Sequence, residues 1–269
     1  MGLGRALSAV NSWPLWRRRL KVFGFTVTAS RGDRLLNLFL HRFRLMGKTE
    51  LSVLEKFVTP GMTVVDAGAN QGLYTLVLSR LTGPGGRVFS FEPDPDLFRT
   101  LSLNCDQNQA GNVQRYNCAL GAEAGELNLF RSRVNAGDNR LAKSDHEDWF
   151  EPVSVKVATL DSILQSAAVD FIKIDVQGWE FEVLKGMANL WANNPDLGVY
   201  FEFWPFGLRR AGCEPLELLE YMEENSFRLY EPLSDDSMPV SDPREFCARF
   251  KGFQSTNLFA VRGALRQGL

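Results

Sequence analysis

The chain has 269 residues, 45% of them hydrophobic and 23% charged, with a formal net charge of −2, two histidines and four cysteines. That length builds one α/β domain with additions and buries most of its unfolded surface without a stabilising device, and the composition is near the average of soluble globular proteins. Cys105, Cys118, Cys213 and Cys247 have neither CxxC spacing nor scaffold density, so a disulfide framework and a thiolate zinc site are excluded, and no apolar run reaches the roughly 18 residues of a membrane span.

The first 50 residues hold ten Lys or Arg against Asp33 and Glu50, giving +8, while the remainder carries 20 against 30, giving −10. In "MGLGRALSAVNSWPLWRRRLKVFGF" the arginines follow the apolar residues, the reverse of a secretory signal. With four dispersed thiols, that makes the cytoplasm the expected location. Residues 1–50 are read as a basic N-terminal extension that could cover a substrate. It either packs on the acidic body or lies on an anionic membrane surface with Trp13 and Trp16 at the interface. The acidic body disfavours nucleic acid as a partner. A homodimer stays open.

Residues 51–269 alternate short β-rich runs with helical patterns, the rhythm of a parallel sheet covered on both faces. Strands are expected at Thr63–Ala67, Gly86–Phe91, Val113–Cys118, Phe171–Asp175, Gly198–Phe203, Phe227–Tyr230 and Asn257–Val261, and helices at Gly72–Leu81, Pro95–Asn108, Trp179–Leu190 and Pro215–Glu224. Between the third and fourth strands, two alternating runs, Glu126–Arg131 and Val153–Thr159, surround a polar excursion. This predicts an antiparallel flap over about residues 126–159.

The first strand ends in "VVDAGANQGLYT". Ligands of open α/β sheets bind at the carboxyl ends of the strands, so this turn is the expected cofactor site. It lacks the G-x-G-x-x-G of a dinucleotide fold, and Asp66 would repel a pyrophosphate while suiting a cationic ligand. Glu92, in "RVFSFEPDP", lies 20 residues after Gly72, where a carboxylate can accept both hydroxyls of an adenosine ribose; capping of the next helix is the plain alternative.

Together, "VVDAGANQGLYT", "FSFEPDP", "TLDSIL" and "VDFIKIDVQGWEFEVLKGM" resemble the FkbM family of S-adenosylmethionine-dependent methyltransferases over about Val64–Phe203, and "NAGDNRL" is similar to a family feature. The resemblance implies a Rossmann-like class I methyltransferase: a mostly parallel seven-stranded sheet with helices on both faces and an antiparallel last strand. It also implies O-methylation of a hydroxyl in glycan or natural-product pathways. Asp66, Gly68, Asn70 and Gly72 would then surround the methionine part of S-adenosylmethionine and Glu92 its ribose. Cys118, Ala119 and Leu120 would face the adenine, with Asp175 and Gln177 beside the sulfonium. Asn104 resembles a family asparagine with a structural role.

Deprotonation of an alcohol acceptor needs a nearby base. Asp175, Glu202 and His146 are the candidates. Asp175 and Glu202 could also hold Mg²⁺ or Ca²⁺, although two carboxylates make only part of such a ligand set, so the reading is metal-free. In the flap, Asn135, Asp138, Asn139 and Arg140 offer hydrogen bonds, and Trp149 a stacking face, to a sugar; an ordinary polar loop uses the same residues. His41 reads as a surface residue. Two rival functions remain: an NAD-dependent sugar-modifying enzyme, which lacks its expected glycines here, and a non-catalytic cofactor-binding scaffold.

Overall fold

A computed structural model describes residues 19–30, 48–132, 139–141, 150–165, 167–233 and 237–263. In chain order come the hairpin β1 (Arg19–Val22) and β2 (Phe25–Thr28), then α1 (Lys48–Phe57), β3 (Thr63–Ala67), α2 (Leu73–Thr82), β4 (Arg87–Phe91), α3 (Pro95–Gln107), β5 (Val113–Tyr116) and β6 (Ala119–Leu120). The flap strands β7 (Gly125–Ser132) and β8 (Phe150–Ala158) follow, then α4 (Leu160–Leu164), β9 (Phe171–Ile174), α5 (Glu180–Lys185), α6 (Ala188–Asn193) and β10 (Gly198–Phe203). The C-terminal part holds α7 (Pro205–Arg210), α8 (Pro215–Glu224), β11 (Arg228–Pro232), β12 (Ser237–Pro239), α9 (Pro243–Ala248) and β13 (Thr256–Val261).

The main sheet has the order β12-β11-β13-β10-β9-β3-β4-β5. All seven expected strands are present, and β12 adds a short eighth at the edge. β13 runs antiparallel to both β10 and β11, and β12 antiparallel to β11; the remaining pairs are parallel. This is the Rossmann-like arrangement of a class I methyltransferase. The chain enters at β3, builds outward to β5, then returns to β9 on the other side, so the strand order reverses between β3 and β9. A crevice is expected outside the carboxyl ends at such a point.

Side chains alternate across each strand. Val65, Ala67, Ile172, Ile174, Val199 and Phe201 enter one core, covered by helices of the C-terminal half. Val64, Phe171 and Phe259 enter the other, under α1, α2 and the hairpin. Both faces are buried, which explains why the strands read as near-continuous apolar runs.

The flap is a separate small sheet: β7 pairs antiparallel with β8 from Gly125↔Val157 to Ser132↔Phe150, and β6 lies parallel to β8. The third strand, expected over Val113–Cys118, therefore stops at Tyr116, and Ala119 and Leu120 pair with the flap. The single helix expected over Trp179–Leu190 is two helices. A Cβ on Gly186 would lie 2.0 Å from the carbonyl oxygen of Gly121, so the chain bends there against the flap base. Asp161 then accepts the Asn189 and Leu190 amides, each at 2.9 Å, and starts α6.

Candidate cofactor and acceptor site

The turn after β3 lies at the expected crevice. Gly68 has φ +79°, and a Cβ there would sit 1.9 Å from the carbonyl oxygen of Asp175, so the turn lies flush against the end of β9. The amides of Gly68 and Ala69 both donate to the Phe91 carbonyl, at 3.0 and 2.9 Å. Asn70 holds φ +51° and donates its amide to Glu92 Oε2 at 2.8 Å. The other oxygen, Oε1, accepts the Asp94 amide at 2.9 Å. Glu92 is 4% exposed, and burial pushes its carboxyl up to about 8 against the pull of those two amides.

A cavity of about 570 Å³, open mouth included, extends from this turn. Gly68, Asn70, Glu92, Ala119, Leu120, Asn139, Asp175 and Gln177, all expected site residues, line it. Cys118 is also on its wall. Sequence reading missed Phe91, Leu97, Leu129, Leu141 and Trp179, which make much of the apolar wall. Phe91 had a signal, since it precedes Glu92 in the same motif; the flap leucines had none.

Two expected cofactor residues, Gly72 and Asp66, lie away from the cavity wall, as do Glu202 and Arg140 among the expected catalytic and acceptor residues. Gly72 is buried at the start of α2, where a Cβ would sit 2.5 Å from Leu101 Cδ1. Asp66 is 0% exposed beneath the turn. Its Oδ2 accepts Thr75 Oγ1 at 2.6 Å, Thr75 in turn accepts Ser90 Oγ at 3.1 Å, and Oδ1 is 3.6 Å from Lys173 Nζ. Strand register sets this up: Ser90, Asp66, Lys173 and Tyr200 are successive cross-strand neighbours in one row. Lys173, 3% exposed, also reaches Asp175 Oδ2 at 3.7 Å and lies 4.7 Å above the Tyr74 ring. Burial alone would lower its pKa, but the carboxylates of Asp175, Asp66 and Glu50 outweigh burial and hold it raised.

Asp175 keeps 42% of its side chain exposed at the cavity. Gln177 Nε2 donates to Asp175 Oδ1 at 2.9 Å and to Glu202 Oε2 at 3.0 Å, so one amide joins the two expected carboxylates. Gln177 stands at φ +56° because buried Glu180 takes the Val176 and Gly178 amides on Oε1, at 3.1 and 3.2 Å, and folds the loop around them. Burial, then the charge of Glu202, pushes Glu180 up to about 8. Among the described residues, no group of three or more His, Cys, Asp or Glu is gathered as for a metal ion.

Beyond this pair lies a polar patch invisible in the sequence. Asn257, opposite Glu202 in the β10–β13 register, donates Nδ2 to Glu50 Oε1 at 3.0 Å. Burial raises the Tyr200 and Tyr74 hydroxyls, and the Glu50 charge adds to both. The first turn of α1 thus stands over the ends of β10 and β13.

The flap's expected residues point to different places. Asn139 accepts the Ser132 amide at 2.9 Å and donates to Asp94 Oδ2 at 3.1 Å, while Arg131 grips the same carboxylate at 2.7 and 3.0 Å. Arg140 instead lies 5.1 Å over the Trp204 ring, just past Glu202. Asn135, Asp138 and His146, with Trp149, fall outside the described residues, as do Trp13, Trp16 and His41. No helix among the described residues is long and apolar enough to cross a membrane.

Known proteins share this sequence pattern. Methyltransferase 1 of Beauveria bassiana is 29% identical over 144 residues, covering 46% of this chain and 57% of its own. The hexuronic acid methyltransferase AglP of Haloferax volcanii is 30% identical over 127 residues, covering 46% of this chain and 49% of its own. The chain thus spans about half the length of these curated relatives. A solved structure described as methyltransferase FkbM from Methylobacillus flagellatus is 18% identical, covers 95% of this chain and 59% of its own, and superposes with a TM-score of 0.44. Residues 66–229 match the family described as the methyltransferase FkbM domain, and the chain belongs to that family.

Proposed function

We propose that the domain transfers a methyl group from S-adenosylmethionine to a hydroxyl of a sugar, glycan or natural-product acceptor. One observation carries this reading: a half-apolar cavity joins a doubly braced Glu92 at one end to the Asp175–Gln177–Glu202 bridge at the other. A hexuronic acid methyltransferase among the relatives supports the sugar acceptor.

The residues present fit the cofactor. Each Glu92 oxygen already accepts one backbone amide, which leaves a lone pair on each for a ribose hydroxyl. Ala119, Leu120, Leu97 and Leu129 form a slot for the adenine, and Gly68, Asn70 and Gln177 surround the methionine end. When bound, the cofactor would supply an electrophilic methyl on a cationic sulfur, with the neutral thioether as the leaving group.

The protein's tasks are alignment and proton removal. Alignment is worth about 7–11 kcal/mol in well-oriented intramolecular reactions. Asp175 takes the hydroxyl proton as the carbon–oxygen bond forms: its Oδ1 is fixed by Gln177, its Oδ2 is steadied by Lys173, and its partly exposed side chain can be reached by an acceptor. Glu202 holds Gln177 from the other side, and with Glu50, Tyr74 and Asn257 it borders the acceptor. Incubation with methyl-labelled S-adenosylmethionine and a panel of aryl glycosides, uronides and phenolic natural products tests the reading. Label in an O-methyl product is expected, and no transfer to any member would defeat it.

A further inference from the structure

We propose that the β1–β2 hairpin is a working part of the glycine turn, and that Asn104 is the positioning residue that joins them. The hairpin lies outside residues 66–229, the stretch that matches the family. A two-stranded hairpin is marginal alone, so what it docks on decides what it does. It docks on α3: Thr26 exchanges bonds with Asn108 (2.8 and 2.7 Å) and receives Gln107 Nε2 at 2.7 Å. Val22 and Val27 enter the same core as Leu76 and Leu101.

Asn104, 0% exposed, is the junction. Its Oδ1 accepts the Thr28 amide at 2.8 Å, and its Nδ2 donates to the Thr28 carbonyl at 3.0 Å and to the Gln71 carbonyl at 2.7 Å. Gln71 is itself buried, takes the Ser30 amide on Oε1 at 2.7 Å, and donates its own amide to Asn70 Oδ1 at 2.7 Å. Asn70 then holds Glu92. A continuous chain of bonds therefore runs from the hairpin through Asn104 and Gln71 to the carboxylate proposed to bind ribose.

That chain accounts for the left-handed Asn70. A non-glycine residue keeps such a backbone only where its surroundings over-determine it, and here the hairpin supplies the outer half of those surroundings. A turn already fixed in this form has no ordering left to undergo when a ligand arrives. The ligand part of this inference rests on the cofactor reading above; the mechanical part does not.

The test uses the full chain and two variants: Asn104→Ala, and Gln107→Ala with Asn108→Ala, which loosens the hairpin and removes two bonds to Asn104 while keeping Asn104's own bonds to Thr28 and Gln71. Amide exchange is followed in the free protein, and S-adenosylhomocysteine binding by calorimetry. The expected result is faster exchange at Asn70 and Gln71 with Val65 and Ile172 unchanged, and affinity weakened roughly tenfold by Asn104→Ala. KM for S-adenosylmethionine should rise while kcat holds. Unchanged exchange at Asn70 and Gln71 in both variants overturns the proposal, as does acceleration spread evenly over the sheet, or faster local exchange with unaltered affinity. If the parent protein binds no S-adenosylhomocysteine, the cofactor reading fails, and the mechanical link is judged on exchange alone.

Discussion

Replacing Lys173 with methionine removes the cation between two carboxylates. Its Nζ lies 3.6 Å from Asp66 Oδ1 and 3.7 Å from Asp175 Oδ2, and Asp66 is wholly buried, with its other oxygen accepting the Thr75 hydroxyl. The two losses differ in weight. Asp175 remains partly in water, so its uncompensated charge costs little, whereas Asp66 is left as a buried charge without counter-ion. Removing one partner of such a pair costs about 3–5 kcal/mol. At about 2–4 °C per kcal/mol for a domain of this size, Tm should fall by roughly 6–20 °C. Adding Asp66→Asn to Lys173→Met should recover much of that loss, because an amide has no charge to bury and needs no proton to be neutral. Thermal and urea unfolding of the parent, both single variants and the double variant check this. A Lys173→Met variant within about 2 °C of the parent, or a double variant no better than the single, would refute the view that the row is held by charge pairing.

Glu92 sets a pH dependence. Its folded carboxyl titrates near 8 and its unfolded one near 4.5, so between those values the native state binds more protons than the unfolded state. The free protein should therefore lose stability as pH rises from about 4.5 to 8, a contribution absent in Glu92→Gln. A ligand that favours the ionised carboxylate should bind more tightly as pH rises through 8 and release protons at pH 7, measured by calorimetry in buffers of different ionisation heat. Arg140→Ala should weaken acceptor use while leaving S-adenosylhomocysteine binding nearly intact, whereas Asn139→Ala, which removes one of the flap's bonds to Asp94 and a residue of the cavity wall, should weaken binding of the cofactor product as well; equal loss of both by Arg140→Ala would mark it as structural. Glu50→Gln should raise acceptor KM severalfold with cofactor affinity unchanged, since Glu50 holds Asn257 beside Glu202 and lies off the cavity wall. Chelator treatment should leave turnover intact, and loss rescued by Mg²⁺ or Ca²⁺ would place a metal between Asp175 and Glu202.

Much of the sheet was legible because parallel strands buried on both faces appear as apolar runs such as Phe171–Ile174. The broken helix was not, because what interrupts it is the approach of Gly186 to Gly121, a contact between residues distant in sequence. Most expected cofactor residues do converge on one cavity, since they sit at the ends of adjacent strands. Asp66 is the instructive exception: it too ends a strand, but alternation turns it under the turn, toward Lys173. Asp66→Ala is therefore expected to cost stability, by leaving Lys173 short of a buried partner, before any effect on cofactor affinity is read. Glu50 and Asn104 show the limit from the other side. Their partners, Asn257 and Thr28, lie far away in the chain, and nothing local announces either contact.

If the cavity between Glu92 and Asp175 holds S-adenosylmethionine, the product S-adenosylhomocysteine should bind there and depend on Glu92. Calorimetric titration of the full chain with S-adenosylhomocysteine, alongside NAD and with Glu92→Gln as the variant, tests it most directly. One site for S-adenosylhomocysteine, at least about tenfold weaker in Glu92→Gln and not displaced by NAD, is the result the account predicts. Saturable NAD binding that excludes S-adenosylhomocysteine, or S-adenosylhomocysteine affinity indifferent to Glu92, would contradict it.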